Sequence, residues 1–102
     1  MSRFKCTYDE RGDVLYTCID KPEEATNYCD DSAGLLYRTS IKTGKPCGVT
    51  VLDFKYTYGL MGGDVLCFNI QHFLEVIPLK EVEEVIYKLL EYKNNNGFHN
   101  KI

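Results

Sequence analysis

The chain has 102 residues, 44% of them hydrophobic and 26% charged, with a formal charge of −3. These proportions fit one ordinary globular domain with room for a modest core and no need of metal or disulfide staples. No stretch approaches the roughly 18 apolar residues of a membrane span, and the segment from Met1 to Cys6 has no apolar leader core, so the expected compartment is the cytoplasm. The acidic balance argues against a nucleic-acid binder, because Arg3, Lys5, Arg38, Lys42 and Lys45 cannot be joined into a basic face without acidic neighbours.

Phe4 to Ile19 reads as a β-hairpin. Two runs of β-branched, aromatic and aliphatic residues flank Asp9-Glu10-Arg11-Gly12-Asp13, where Asp can close a turn through its side chain and Gly can adopt positive φ. Alternation puts Phe4, Cys6 and Tyr8 on one face and Arg3, Lys5 and Thr7 on the other. The polar, Pro-containing stretch from Asp20 to Asn27 reads as a loop. Tyr28-Cys29 begins a short strand, interrupted by the segment from Asp30 to Gly34. A strand follows over residues 35–41, with Leu35, Tyr37, Thr39 and Ile41 on one side. After a turn at Lys42 to Pro46, the run from Cys47 to Tyr56 has the highest β-branched and aromatic content of the chain.

Tyr58 to Gly63 then reads as a hinge. Asp64 suits the N-cap of a helix to about Glu75, since Leu66, Ile70, Phe73, Leu74 and Ile77 recur at helical spacing. The stretch from Val65 to Ile70 equally suits a fifth strand. The segment from Leu79 to Lys93 carries a helical stripe of Val82, Val85, Ile86, Leu89 and Leu90, entered through Pro78 and ended by Asn94 to Gly97. The expected architecture is therefore α+β: an antiparallel β-meander of about four strands covered by a C-terminal amphipathic helix, with a second, shorter helix before it. Residues 1–93 form the single domain and residues 94–102 a flexible tail.

The five cysteines, at 6, 18, 29, 47 and 67, show no Cys-x-x-Cys spacing and read as free cysteines acting as small hydrophobes. A disulfide between facing positions such as Cys6 and Cys18, or a zinc site using His72 or His99, are the alternatives. No catalytic residue, metal ligand or cofactor site is expected. Lys42-Thr43-Gly44-Lys45 lacks the rest of a phosphate loop, the acidic clusters lack calcium spacing, and His72 has no nucleophile near it in sequence.

Tyr8-Asp9-Glu10-Arg11-Gly12-Asp13-Val14-Leu15-Tyr16 and Gly48-Val49-Thr50-Val51-Leu52 resemble the paired signatures of the small prokaryotic family called domain of unknown function 2283. The resemblance covers residues 4–54 and implies a compact β-meander with a helix. The loop from Asp20 to Gly34, the cysteines and the helix from Leu79 depart from the shortest members. Together these readings give a non-enzymatic protein-interaction or regulatory module, an antitoxin-like partner of a basic protein being the sharpest version. Its partner would be another protein or a copy of itself in a homo-oligomer, without membrane or nucleic acid. The alternative is a small-molecule binder or minor enzyme using Tyr8, Asp13, Tyr16 and Tyr37 at the mouth of the sheet–helix sandwich.

Overall fold

The computed structural model describes residues 3–30 and 34–95. Five strands, β1 (Phe4–Asp9), β2 (Val14–Ile19), β3 (Ala25–Asp30), β4 (Leu35–Ser40) and β5 (Pro46–Val51), precede two helices, α1 (Phe54–Phe73) and α2 (Leu79–Asn95). All strand pairs are antiparallel, in the order β1-β2-β5-β4-β3. The α+β class and the antiparallel sheet with a C-terminal helix agree with the expectation. The sheet has five strands, however, and is not a plain meander. β5 enters between the β1–β2 hairpin and the β3–β4 hairpin, so the chain visits both edges before the centre is filled.

The first hairpin follows its alternation. Phe4, Cys6 and Tyr8 lie opposite Ile19, Thr17 and Leu15, and this face joins the core. Asp9 Oδ1 accepts the N–H groups of Arg11 (3.0 Å) and Gly12 (3.3 Å), the side-chain turn its sequence suggests. The left-handed residue of the loop is Asp13 (φ 55°), not Gly12.

Two boundaries differ from the sequence reading. The expected loop from Asp20 to Asn27 gives way to strand at Ala25, because β3 pairs with β4 over its whole length. The run taken as strand to Tyr56 ends at Val51; Asp53 turns left-handed (φ 47°) and α1 begins at Phe54. Residues 65–73 are helix, not a fifth strand, and α2 is longer than either of the two helical segments that make up α1. Its irregularity lies inside it, at Gly62 (φ 80°, ψ 163°), a backbone that glycine adopts without a Cβ penalty. The expected hinge thus coincides with the break between the two helical segments of α1. Asp64 lies just past it, and its carboxylate accepts a hydrogen bond from the Tyr87 hydroxyl of α2. Of the expected tail, Asn94 and Asn95 belong to α2, and residues 96–102 lie outside the described residues, as does His99.

β5 carries a bulge. Arg38 faces Gly48 but Thr39 faces Pro46, leaving Cys47 as the additional residue. A Cβ on Gly48 would stand 2.4 Å from the Thr17 carbonyl oxygen, so the close approach of β5 to β2 requires glycine there. Both helices pack on one face of the sheet, α2 against β1 and α1 against β5. Val82 and Ile86 are fully buried and Leu90 nearly so, together with Leu66, Ile70, Leu74 and Ile77. Glu81 of α2 accepts the backbone N–H groups of Arg3 (2.7 Å) and Phe4 (2.8 Å), which ties the helix to the start of β1.

None of the five cysteines is in a disulfide. Cys6 and Cys18 cannot pair across the hairpin because Cys6 faces Thr17 and Cys18 faces Lys5, so their side chains point to opposite faces. Burial pushes the Cys6 thiol up to about 11 and the Cys67 thiol up to about 12, whereas Cys29 is exposed.

Two expectations test this packing. Ile86→Ala should cost about 2–5 kcal/mol, the range for a fully buried aliphatic side chain, read by chemical denaturation; an unchanged midpoint would place α2 off the core. Alkylation of the native protein at pH 8 should label Cys29 first and Cys6 and Cys67 last, since the thiolate is the nucleophile. Mass spectrometry of timed samples gives the order, and early labelling of Cys67 would contradict the burial.

Candidate functional site

The helices cover the sheet unevenly. They close over the side of the inner face formed by β1, β2 and β5, and leave the β3–β4 side open. There a groove of about 1040 Å³ runs between the sheet and the C-terminal part of α1. Tyr28, Tyr37, Thr39 and Cys47 come from the strands, and Asn69, His72, Phe73 and Leu74 from α1 and its end. Antiparallel pairing sets Tyr28 opposite Tyr37, with ring centroids 6.5 Å apart and nearly parallel. Phe73 leans on the other side of Tyr37 at 4.9 Å and 52°. These aromatic contacts favour offset and tilted geometries. Tyr37 is half-buried in this stack, whereas Tyr28 is 72% exposed, a large aromatic surface left to water beside an apolar floor.

The rim is charged. Arg3 and Asp20 form an ion pair at 3.1 Å, in which the guanidinium holds the Asp20 carboxyl below its ordinary range; being exposed, this pair adds little stability. Lys21, Lys45 and Glu75 complete the rim. Glu23 accepts the Ser40 hydroxyl proton, and the Ser40 oxygen in turn accepts the Thr43 N–H (3.2 Å), so this cluster holds the β4–β5 turn.

Among the described residues, the groove does not bring a nucleophile against a base. The Cys47 thiol is raised by burial and donates to the Arg38 carbonyl oxygen at 3.5 Å. His72 stacks on Phe68 at 5.9 Å and 17°. Among the described residues no group of three or more His, Cys, Asp or Glu side chains is gathered as metal ligands would be. The described residues give the groove shape, aromatic surface and a mixed charged rim, features of a binding cleft.

The four candidate residues from the sequence fall at three places. Tyr37 lines the groove. Tyr16 projects from the opposite face of the sheet, 46% exposed, beside a smaller hollow of about 320 Å³ shared with Leu36, Arg38 and Thr50. Tyr8 and Asp13 meet each other: the Tyr8 hydroxyl donates to Asp13 Oδ1 at 2.6 Å. The same Asp13 takes the start of α1, its carbonyl accepting the Phe54 N–H (2.8 Å) and its carboxylate the Lys55 N–H (3.2 and 3.3 Å). Asp53, at the N-cap position, makes no side-chain capping bond, so Asp13 supplies the acceptor that a helix N-terminus requires. Burial, with the bond to Asp13, raises the Tyr8 pKa.

Tyr28 and Phe73 are not among the candidates, and His72 is one only as an alternative zinc ligand. Phe73 carried a signal in its helical spacing with Ile70 and Ile77. Tyr28 carried none that singled it out, because its place depends on pairing with Tyr37.

Asp13→Ala should destabilise the fold by about 1–3 kcal/mol, through loss of the cap and of the Tyr8 partner. The Tyr8 proton is held more tightly in the folded than in the unfolded chain. Its contribution is therefore complete below the unfolded value of about 10 and declines as pH rises above it. Stability of Tyr8→Phe should fall less steeply than that of the unmodified protein above about pH 10, checked by urea midpoints between pH 7 and 11; parallel slopes would exclude the coupling.

No helix among the described residues is long and apolar enough to cross a membrane. No family model, curated protein or solved structure matches the chain, so its function is argued from the geometry of the groove.

Proposed function

We propose that this protein is a non-enzymatic interaction module that recognises another protein through the groove along β3 and β4. The observation that carries this reading is Tyr28: an aromatic side chain 72% exposed, stacked on Tyr37, at the open side of an apolar groove. Tyrosine supplies a large contact area at small entropic cost and is enriched where proteins meet. The formal charge of −3 favours a basic partner and speeds its approach at low salt, in keeping with a regulatory, antitoxin-like role.

The volume of the groove, about 1040 Å³, stands at the upper end of the roughly 300–1,000 Å³ of small-molecule pockets, and this supports a small-molecule binder as the second reading. A photo-crosslinking amino acid at position 28, with position 16 on the opposite face as the control, separates the two in native cells. A discrete protein adduct from position 28 and none from position 16 is the expected result. Retention of a small molecule in native mass spectrometry, lost in Tyr37→Ala and without any protein adduct, would replace this reading by the second.

A further inference from the structure

The two edges of the sheet differ in how they are guarded. Exposed strand edges recruit other strands unless charge, proline, a bulge or a covering element prevents it. β1 carries Lys5 and Asp9, and its first outward N–H, that of Phe4, is taken by Glu81 of α2. Among the described residues, β3 has none of these devices from Ala25 to Tyr28. The segment Ala-Thr-Asn-Tyr-Cys is uncharged and proline-free, and its register with β4 is unbroken.

The direction of its hydrogen-bonding groups follows from the ladder. The Ile41 N–H donates to the Glu24 carbonyl at 3.1 Å, and the Ser40 N–H turns the other way, to Lys45, at 2.8 Å. Alternation along an antiparallel pair then makes Thr26–Thr39 and Tyr28–Tyr37 the hydrogen-bonded pairs. The backbone N–H and C=O of Ala25 and Asn27 therefore point away from β4, along the open edge. The side chain of Tyr28, which shares the inner face with Tyr37, borders the groove on that same side.

We infer that β3 receives an extended segment of a partner protein as a sixth strand, apolar at the positions that face the groove and carrying Lys or Arg at its ends. This deepens the interaction reading and rests on it. Backbone pairing with Ala25 and Asn27 supplies the ladder, and alternate side chains lie against Tyr28 in the groove. The charge of the ends comes from the sequence, in which Glu23 and Glu24 precede β3 and Asp30 closes it. The same charges act against a second copy. Antiparallel self-pairing centred on Asn27 would set Glu24 of each copy opposite Asp30 of the other, a like-charge contact at both ends.

The test uses synthetic peptides of sequence Lys-Val-Thr-Val-Tyr-Val-Lys and the same peptide with Glu at both ends, followed by fluorescence anisotropy at low and physiological salt. The Lys-ended peptide should bind about ten-fold tighter, with the difference shrinking as salt rises. Backbone N-methylation of one alternate set of residues should abolish binding and methylation of the other set should not, since only one side of a strand meets β3. Asn27→Pro should weaken binding about ten-fold while leaving the far-ultraviolet spectrum unchanged, because the lost N–H points outward. Tyr16→Ala, on the opposite face, should bind as the unmodified protein does.

Equal binding of the two peptides, indifference to which set is methylated, or a stable dimer by sedimentation that excludes the peptides would each overturn the inference. A protein adduct at position 28 together with no binding of either peptide would reject strand addition and leave the interaction module standing. Absence of both would reject the two together.

Discussion

The start of α1 depends on a residue far from it in sequence. Asp53 enters the helix in a left-handed conformation and offers no side-chain cap, so the first N–H groups of α1 would be orphaned without Asp13. Asp13 is itself left-handed, at the tip of the first hairpin, a conformation that Asp tolerates better than most residues. Tyr8 closes over the carboxylate, and its ring packs on Phe54 with centroids 5.6 Å apart. One short acidic side chain thus couples the hairpin turn, the first strand and the first helix. A residue that would serve as an acid or a ligand in another setting is here consumed in holding the fold.

With that junction in place, the rest of the sheet is organised by β5. It is the last strand in the chain and the middle strand of the sheet, joining two hairpins that otherwise share no ladder. Central position explains both its composition and its irregularity. Val49 and Val51 are fully buried, the Thr17 hydroxyl reaches the Val49 carbonyl at 2.7 Å, and Gly48 allows the backbone of β2 to approach where any Cβ would collide. The bulge at Cys47 then absorbs the extra residue between Pro46 and Gly48, which face the adjacent Thr39 and Arg38, and carries the β4–β5 turn to the rim of the groove.

The groove is a consequence of this economy. Two helices cannot cover five strands evenly, and their anchoring at Asp13 and Glu81 draws both toward the first hairpin. The inner surface of β3 and the flank of β4 are left with aromatic side chains and a half-open floor. The exposed stack of Tyr28 on Tyr37 at this open side is the feature on which the proposed contact function rests. The same uneven cover accounts for the contrast between a guarded edge at β1 and an unguarded one at β3.

Local periodicity determined what could be read from the sequence alone. The first hairpin alternates because one face of it is buried, β4 alternates for the same reason, and α2 shows its stripe because Val82, Ile86 and Leu90 face one core. Tyr37 was legible as a candidate on such grounds. Where local preference was ambiguous, tertiary structure decided. Phe54 to Tyr58 have the aromatic content of a strand, yet the Asp13 cap makes them the first turn of a helix. The first half of β3, Ala25 to Asn27, is polar and reads as loop, because an edge strand over an open groove has no buried face to impose a pattern. The strand order, and with it the meeting of Tyr28, Tyr37 and Phe73, depends on pairings between distant segments. Such pairings are set by which apolar faces can be buried together, and no window of neighbouring residues contains that information.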